Sequence, residues 1–106
     1  MVSKVHAYAL LDEIVDQSDI VDMIIRRMPL QRAGTTWKGR CPFHAEHTPS
    51  FTVFPTEKLF YCSGCGAGGD IFGFLVRHDR LSFRAAVHSV ARTIGREISG
   101  HWPPGD

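Results

Sequence analysis

The chain has 106 residues, an ordinary apolar share of 43% and a net charge of only +1. Those values fit one small globular domain and exclude a strongly basic or acidic molecule. No apolar stretch reaches membrane-span length and the N-terminus lacks the apolar run of a signal peptide, so no membrane association is expected.

In chain order, Leu10, Leu11, Ile14 and Val15 recur at helical spacing. Ser18 is the expected N-cap of a second helix, with Asp19 and Asp22 in its first turn and Ile20, Val21, Ile24, Ile25 and Met28 on one face. Pro29 is expected to end it. The acids gather here, at Asp12, Glu13, Asp16, Asp19 and Asp22. From Met23 to Ala45 there is no acid, while Arg26, Arg27, Arg32, Lys38 and Arg40 fall within that run. The neutral total thus hides a basic middle.

Strand signals follow. "TTWKGR" is β-rich, and "SFTVF" alternates, with Phe51 and Val53 on one face and Thr52 and Phe54 on the other. "PTE" supplies a turn and "KLFYC" a return strand. After the glycine-rich "GAGGD", read as a turn, Asp70 opens a short helix and Ser82 caps another, with Gly95 as its C-terminal stop. On that last helix Arg84, His88 and Arg92 stand four apart, which reads as a solvated, partly basic stripe. Residues 99–106 read as a tail or linker stub.

The three cysteines lie in "CPFHAEHTPSFTVFPTEKLFYCSGCG". An odd count suits a reducing, cytoplasmic setting, where clustered cysteines bind metal rather than pair as disulfides. Cys41 and His44 form one Cys-x-x-His pair, and Cys62 and Cys65 one Cys-x-x-Cys pair, separated by seventeen residues. Two intervening residues let a tight turn aim both side chains at one ion, and the spacer fits a strand, a turn and a strand. Pro42 and Gly64 suit the tight backbone of such knuckles. A full Cys3His set leaves no open position for a substrate water, so one structural Zn2+ is expected. Competing readings are three buried reduced cysteines, His47 as ligand in place of His44, or a redox Cys-x-x-Cys, which would need a βαβ setting.

"GRCPFHAEHTPSFTVFPTEKLFYCSGCGAGGDIFGFL" closely resembles the N-terminal zinc-binding domain of bacterial-type DNA primases, and the likeness extends over nearly the whole chain. The resemblance implies a zinc ribbon of α+β class: a small antiparallel sheet flanked by N-terminal and C-terminal helices. It implies a domain over residues 1–98, with Cys41, His44, Cys62 and Cys65 as ligands. It implies a module that binds single-stranded DNA template and supports RNA primer initiation by a primase catalytic domain, with a replicative polymerase or helicase as further partners. This chain departs from the pattern at Ser63, where an aromatic residue is usual, and at Tyr61, where histidine is common.

Single strands are held by cations and aromatic platforms. The expected DNA contacts are Arg32, Trp37, Lys38, Arg40, Thr48, Ser50, Lys58 and Tyr61, with Trp37 and Tyr61 as exposed platforms and Phe51, Val53 and Phe60 as core. At this length no room is expected for the catalytic or helicase-binding domains, so the chain is expected not to be an enzyme on its own, and to be an excised domain or a small stand-alone relative. Two alternatives are a zinc-ribbon docking module with little DNA affinity and a primase active alone. "GCGAGGD" lacks the Gly-Lys-Ser/Thr of a phosphate loop, and Glu46 and Glu57 make no convincing catalytic pair.

Overall fold

The structure is a computed structural model, and it describes residues 4–45 and 49–104. Two helices lead in, α1 (Lys4–Gln17) and α2 (Ile20–Ile25). A sheet of five strands follows: β1 (Gln31–Ala33), β2 (Thr36–Gly39), β3 (Phe51–Phe54), β4 (Leu59–Cys62) and β5 (Gly68–Gly69). Two helices close the fold, α3 (Ile71–His78) and α4 (Phe83–Thr93). The strands pair antiparallel in chain order. This is the expected α+β architecture.

Local chemistry sets the helix ends. Asp19, not Ser18, caps α2 by accepting from the Asp22 N–H at 3.0 Å. Ser18 instead closes α1, its hydroxyl donating to the Val15 carbonyl at 2.7 Å, and it is buried where the two helices meet. A serine between two helices can serve either end, and burial at this corner favours the α1 carbonyl. The α2 helix also stops before Pro29, at an Arg26 cap. Asp70 and Ser82 cap α3 and α4 as expected, accepting from the N–H groups of Gly73 and Ala85. Gly95 ends α4 in the left-handed region, at φ 71°, with the Arg96 N–H reaching back to the Ala91 carbonyl at 2.9 Å. That closure satisfies carbonyls the helix would otherwise leave open.

Two strands were not anticipated. β1 is a three-residue edge strand whose pattern is wholly exposed, and β5 consists of Gly68 and Gly69 within the glycine-rich segment read as a turn. Neither is long enough to show alternation.

The register sorts the sheet into two faces, because directly paired residues point the same way. One row runs Arg32, Trp37, Val53, Phe60, Gly69. The next runs Gln31, Lys38, Thr52, Tyr61, Gly68. Val53 and Phe60 are buried with Phe51, and this inner face meets α3 and the buried residues of α2 and α4. Phe43, Phe51, Phe60 and Phe74 form one aromatic cluster, with neighbouring ring centroids 5.4–6.3 Å apart. Such edge-to-face and offset contacts add to plain area burial.

Polar ties lock the helices to one another and to the sheet. Arg27 at the end of α2 grips Asp79 after α3 with both carboxylate oxygens engaged, at 2.9–3.0 Å. Its other amino group donates to the Met23 carbonyl at 2.8 Å. The stretch from Ser99 onward, read above as a tail, packs back on α4. The His88 Nε2 donates to the Trp102 carbonyl at 2.6 Å, and the Arg84 Nε to the Pro103 carbonyl at 2.9 Å. Trp102 packs against the core and Pro103 is buried. Two members of the supposedly solvated stripe therefore hold the C-terminal segment, while Arg92 remains exposed.

Candidate metal centre

The first knuckle follows β2 and the second follows β4. Phe51 of β3 lies between the two ends, paired with Gly39 on one side and Cys62 on the other. The sheet register thus brings the separated halves of the motif together. Cys41, His44, Cys62 and Cys65 present ligand atoms that all lie within 4.8 Å of one another. Cys41 and Cys62 are buried, His44 is half-buried and Cys65 is exposed.

The distances suit zinc. Zinc–sulfur bonds of about 2.3 Å and zinc–nitrogen bonds of about 2.0–2.1 Å give tetrahedral edges of about 3.6–3.8 Å. The Cys41 and Cys65 sulfurs are 3.8 Å apart, and the Cys62 sulfur is 3.9 Å from the His44 Nδ1. No two sulfurs here form a disulfide. The four residues are positioned to bind one zinc ion, with the soft, complete donor set of a structural site.

The thiols differ. Burial pushes Cys41 up to about 12, against the lowering effect of the Phe43 N–H, which donates to its sulfur at 3.4 Å. Burial also raises Cys62, but there the hydrogen bond from Ser50 and the backbone N–H groups of Cys65 and Gly64 win, and the thiol falls to about 7. Of these two, Cys62 is the readier to ligate near neutral pH, since the thiolate is the binding form.

Gly64 sits at a close approach the sequence did not show. A Cβ there would come 2.9 Å from the His44 Nε2 and 3.0 Å from the Ser50 hydroxyl. An added side chain would crowd those two side-chain ends between the knuckles, whereas the backbone there is not left-handed. Phe43, inside the first knuckle, roots the site in the aromatic cluster, and the exposed Arg77 guanidinium lies 5.0 Å from its ring centre. Sequence reasoning overlooked both residues. Phe43 was visible only as knuckle filler, and Arg77 comes from α3, more than thirty residues later.

The expected DNA contacts separate. Lys38 and Arg40 are exposed, and Tyr61 is 50% exposed on the outer row. Arg32 is exposed at the edge strand, but it belongs to the inner row. Trp37 is no exposed platform: it also belongs to the inner row and packs, half-buried, against the core. Lys58 lies in the β3–β4 turn rather than on the return strand, at φ 61°. Its ammonium donates to the Ser18 carbonyl at 2.6 Å, so it ties the turn to the helical corner. The Ser50 hydroxyl lies 3.4 Å from the Cys62 sulfur. Thr48, the alternative ligand His47 and Glu46 fall outside the described residues. Among the described residues, no helix is long and apolar enough to cross a membrane.

Comparison with known proteins agrees with the geometry. The family model for the CHC2 zinc finger matches residues 6–102. The DNA primase of Pseudomonas putida is 44% identical over 90 residues, covering 85% of this chain and 14% of that protein. The DNA primase of Listeria monocytogenes is 46% identical over 82 residues, covering 77% of this chain and 13% of that one. A crystal structure of the Aquifex aeolicus primase, containing its zinc-binding and RNA polymerase domains, superposes with a TM-score of 0.78 at 36% identity, over 83% of this chain and 22% of that one. The chain thus spans about one-seventh of the length of the curated primases it matches. With its ribbon, its four ligands and this match over nearly its whole length, the chain belongs to the CHC2 zinc finger family of DNA primases.

Proposed function

We propose that the chain is a non-catalytic module that binds single-stranded DNA template and supports RNA primer initiation by a primase catalytic domain. The observation that carries this reading is the outer row of the sheet. Lys38, Thr52 and Tyr61 stand side by side on β2, β3 and β4, offering a cation, a hydroxyl and an aromatic ring. Gly68 continues the row without a side chain, and a Cβ there would crowd the Tyr61 ring at 3.2 Å. The ring is left open to solvent, as a base-stacking platform requires. Arg40 extends the positive charge toward the metal centre. Lys38 and Arg40 also line an open groove of about 500 Å³ with Pro29, Gln31, Gly39 and Pro49.

In this reading zinc does no chemistry. It fixes the ends of β2 and β4, and so the spacing of the outer row. The working setting is the cytoplasm, beside a polymerase or helicase.

The test is fluorescence anisotropy of a labelled single strand against the zinc-loaded protein and a Lys38→Ala/Arg40→Ala variant. The variant should bind more weakly, with a salt slope smaller by about one per lost phosphate contact. Unchanged affinity and slope would remove this surface from the reading.

A further inference from the structure

We infer that Ser50 is a positioning residue of the metal centre, its hydroxyl donating to the Cys62 sulfur and orienting it for the ion. The Ser50 Oγ lies 3.4 Å from the Cys62 Sγ. The serine is half-buried and its backbone is held in place. Its carbonyl accepts from the Ser63 N–H at 3.1 Å and from the Ser63 hydroxyl at 3.5 Å. The next residue, Phe51, is buried and pairs with Cys62 across β3 and β4. Those bonds hold the backbone beside the second knuckle, and the hydroxyl lies within hydrogen-bond reach of the sulfur.

The chemistry gives this contact a purpose. Three thiolates and one neutral imidazole leave a zinc site with one net negative charge, and part of it is buried. Donors aimed at the sulfurs offset that charge and fix the lone-pair directions, as outer-shell partners of metal ligands do. Cys41 receives such a donor from the backbone, through the Phe43 N–H at 3.4 Å. Cys62 receives one from a side chain in addition to the backbone N–H groups of Gly64 and Cys65, and that one can be removed by mutation.

The experiment compares Ser50→Ala and Ser50→Thr with the parent chain. Zinc affinity is read by chelator competition, and the cobalt-substituted proteins are read by their sulfur-to-metal charge-transfer band. Ser50→Ala should bind zinc about tenfold or more weakly, with that band moved to lower energy. Ser50→Thr, which keeps the hydroxyl, should stay near the parent in both. Single-strand affinity of the zinc-saturated Ser50→Ala protein should be unchanged. Parent-like zinc affinity and an unmoved cobalt band in Ser50→Ala would overturn the assignment. An equal loss in both variants would do so too, by tracing the effect to packing. A loss of DNA affinity with zinc binding intact would return Ser50 to the template surface.

Discussion

Thr52 and Val53 are neighbours in β3, yet Val53 is fully buried between Trp37 and Phe60 while Thr52 stands between Lys38 and Tyr61 on the outer face. The inner face is crowded. Phe51 and Phe60 touch Phe43 and Phe74, so each ring is held by several others. The outer face carries exposed groups that the fold does not require, with Leu59 and Tyr61 about half exposed. One face thus holds the metal knuckles in register, and the other is left open to solvent. Mutations should respect that division.

Zinc is common to both faces, so its loss should be the largest perturbation. Chelation, or Cys62→Ala, removes a binding energy on the order of 10 kcal/mol that is coupled to folding. The expected result is cooperative loss of the sheet signal in circular dichroism, together with single-strand binding. A metal-free protein that keeps its sheet would show that the inner face suffices alone.

Next comes the inner face itself. Phe60→Ala should cost about 3–5 kcal/mol in denaturant unfolding of the zinc-loaded protein. A cost under about 1 kcal/mol would mean that the aromatic cluster is not the support it looks to be.

A smaller effect is expected off the sheet, at Asp79. The hydrogen bonds from Arg27 hold its carboxyl below the ordinary value of 3.8, against the opposing effect of burial and with help from His78. Because the folded value is depressed, the contribution is complete above the ordinary carboxylate range and fades as pH falls through the folded value. The pair is partly solvent-exposed, so Asp79→Asn should cost only on the order of 1 kcal/mol near neutral pH. The deficit relative to the parent should shrink below about pH 4. A deficit that does not change with pH would place the cost in packing instead.

The smallest stability change belongs to the outer face. Tyr61→Ala should stay within about 0.5 kcal/mol in unfolding but lose about 1–3 kcal/mol of single-strand affinity. If stability falls as far as in Phe60→Ala, the two faces are not the separate layers described above.

Much of this division was legible in the sequence. The alternation of "SFTVF" placed Phe51 and Val53 inside and Thr52 outside, because strand geometry leaves no other choice once one face is buried. The metal set was legible from the spacing of the cysteines together with the family resemblance, with His47 left as the alternative to His44. What the sequence did not disclose were polar partners chosen by tertiary contact. Lys58 looked like any exposed cation, and only the packing of the β3–β4 turn on the helical corner brings Ser18 within its reach. Arg84 and His88 matched a solvated stripe, because the carbonyls they bind arrive from a segment more than ten residues away. Trp37 was misplaced for a related reason. Its indole suits either face, and the register with Val53, not the residue type, decides.

That C-terminal contact also bears on reach. Residues 99–104, if extended, would span up to about 20 Å. Docked on α4 by Arg84 and His88, they contribute almost none of it. For anything joined beyond Pro104, the effective leash is measured from the end of the docked segment rather than from the end of the last helix. Arg84 and His88, together with the packing of Trp102, would thereby shorten the free length of any such attachment and raise the local concentration at which it meets this domain.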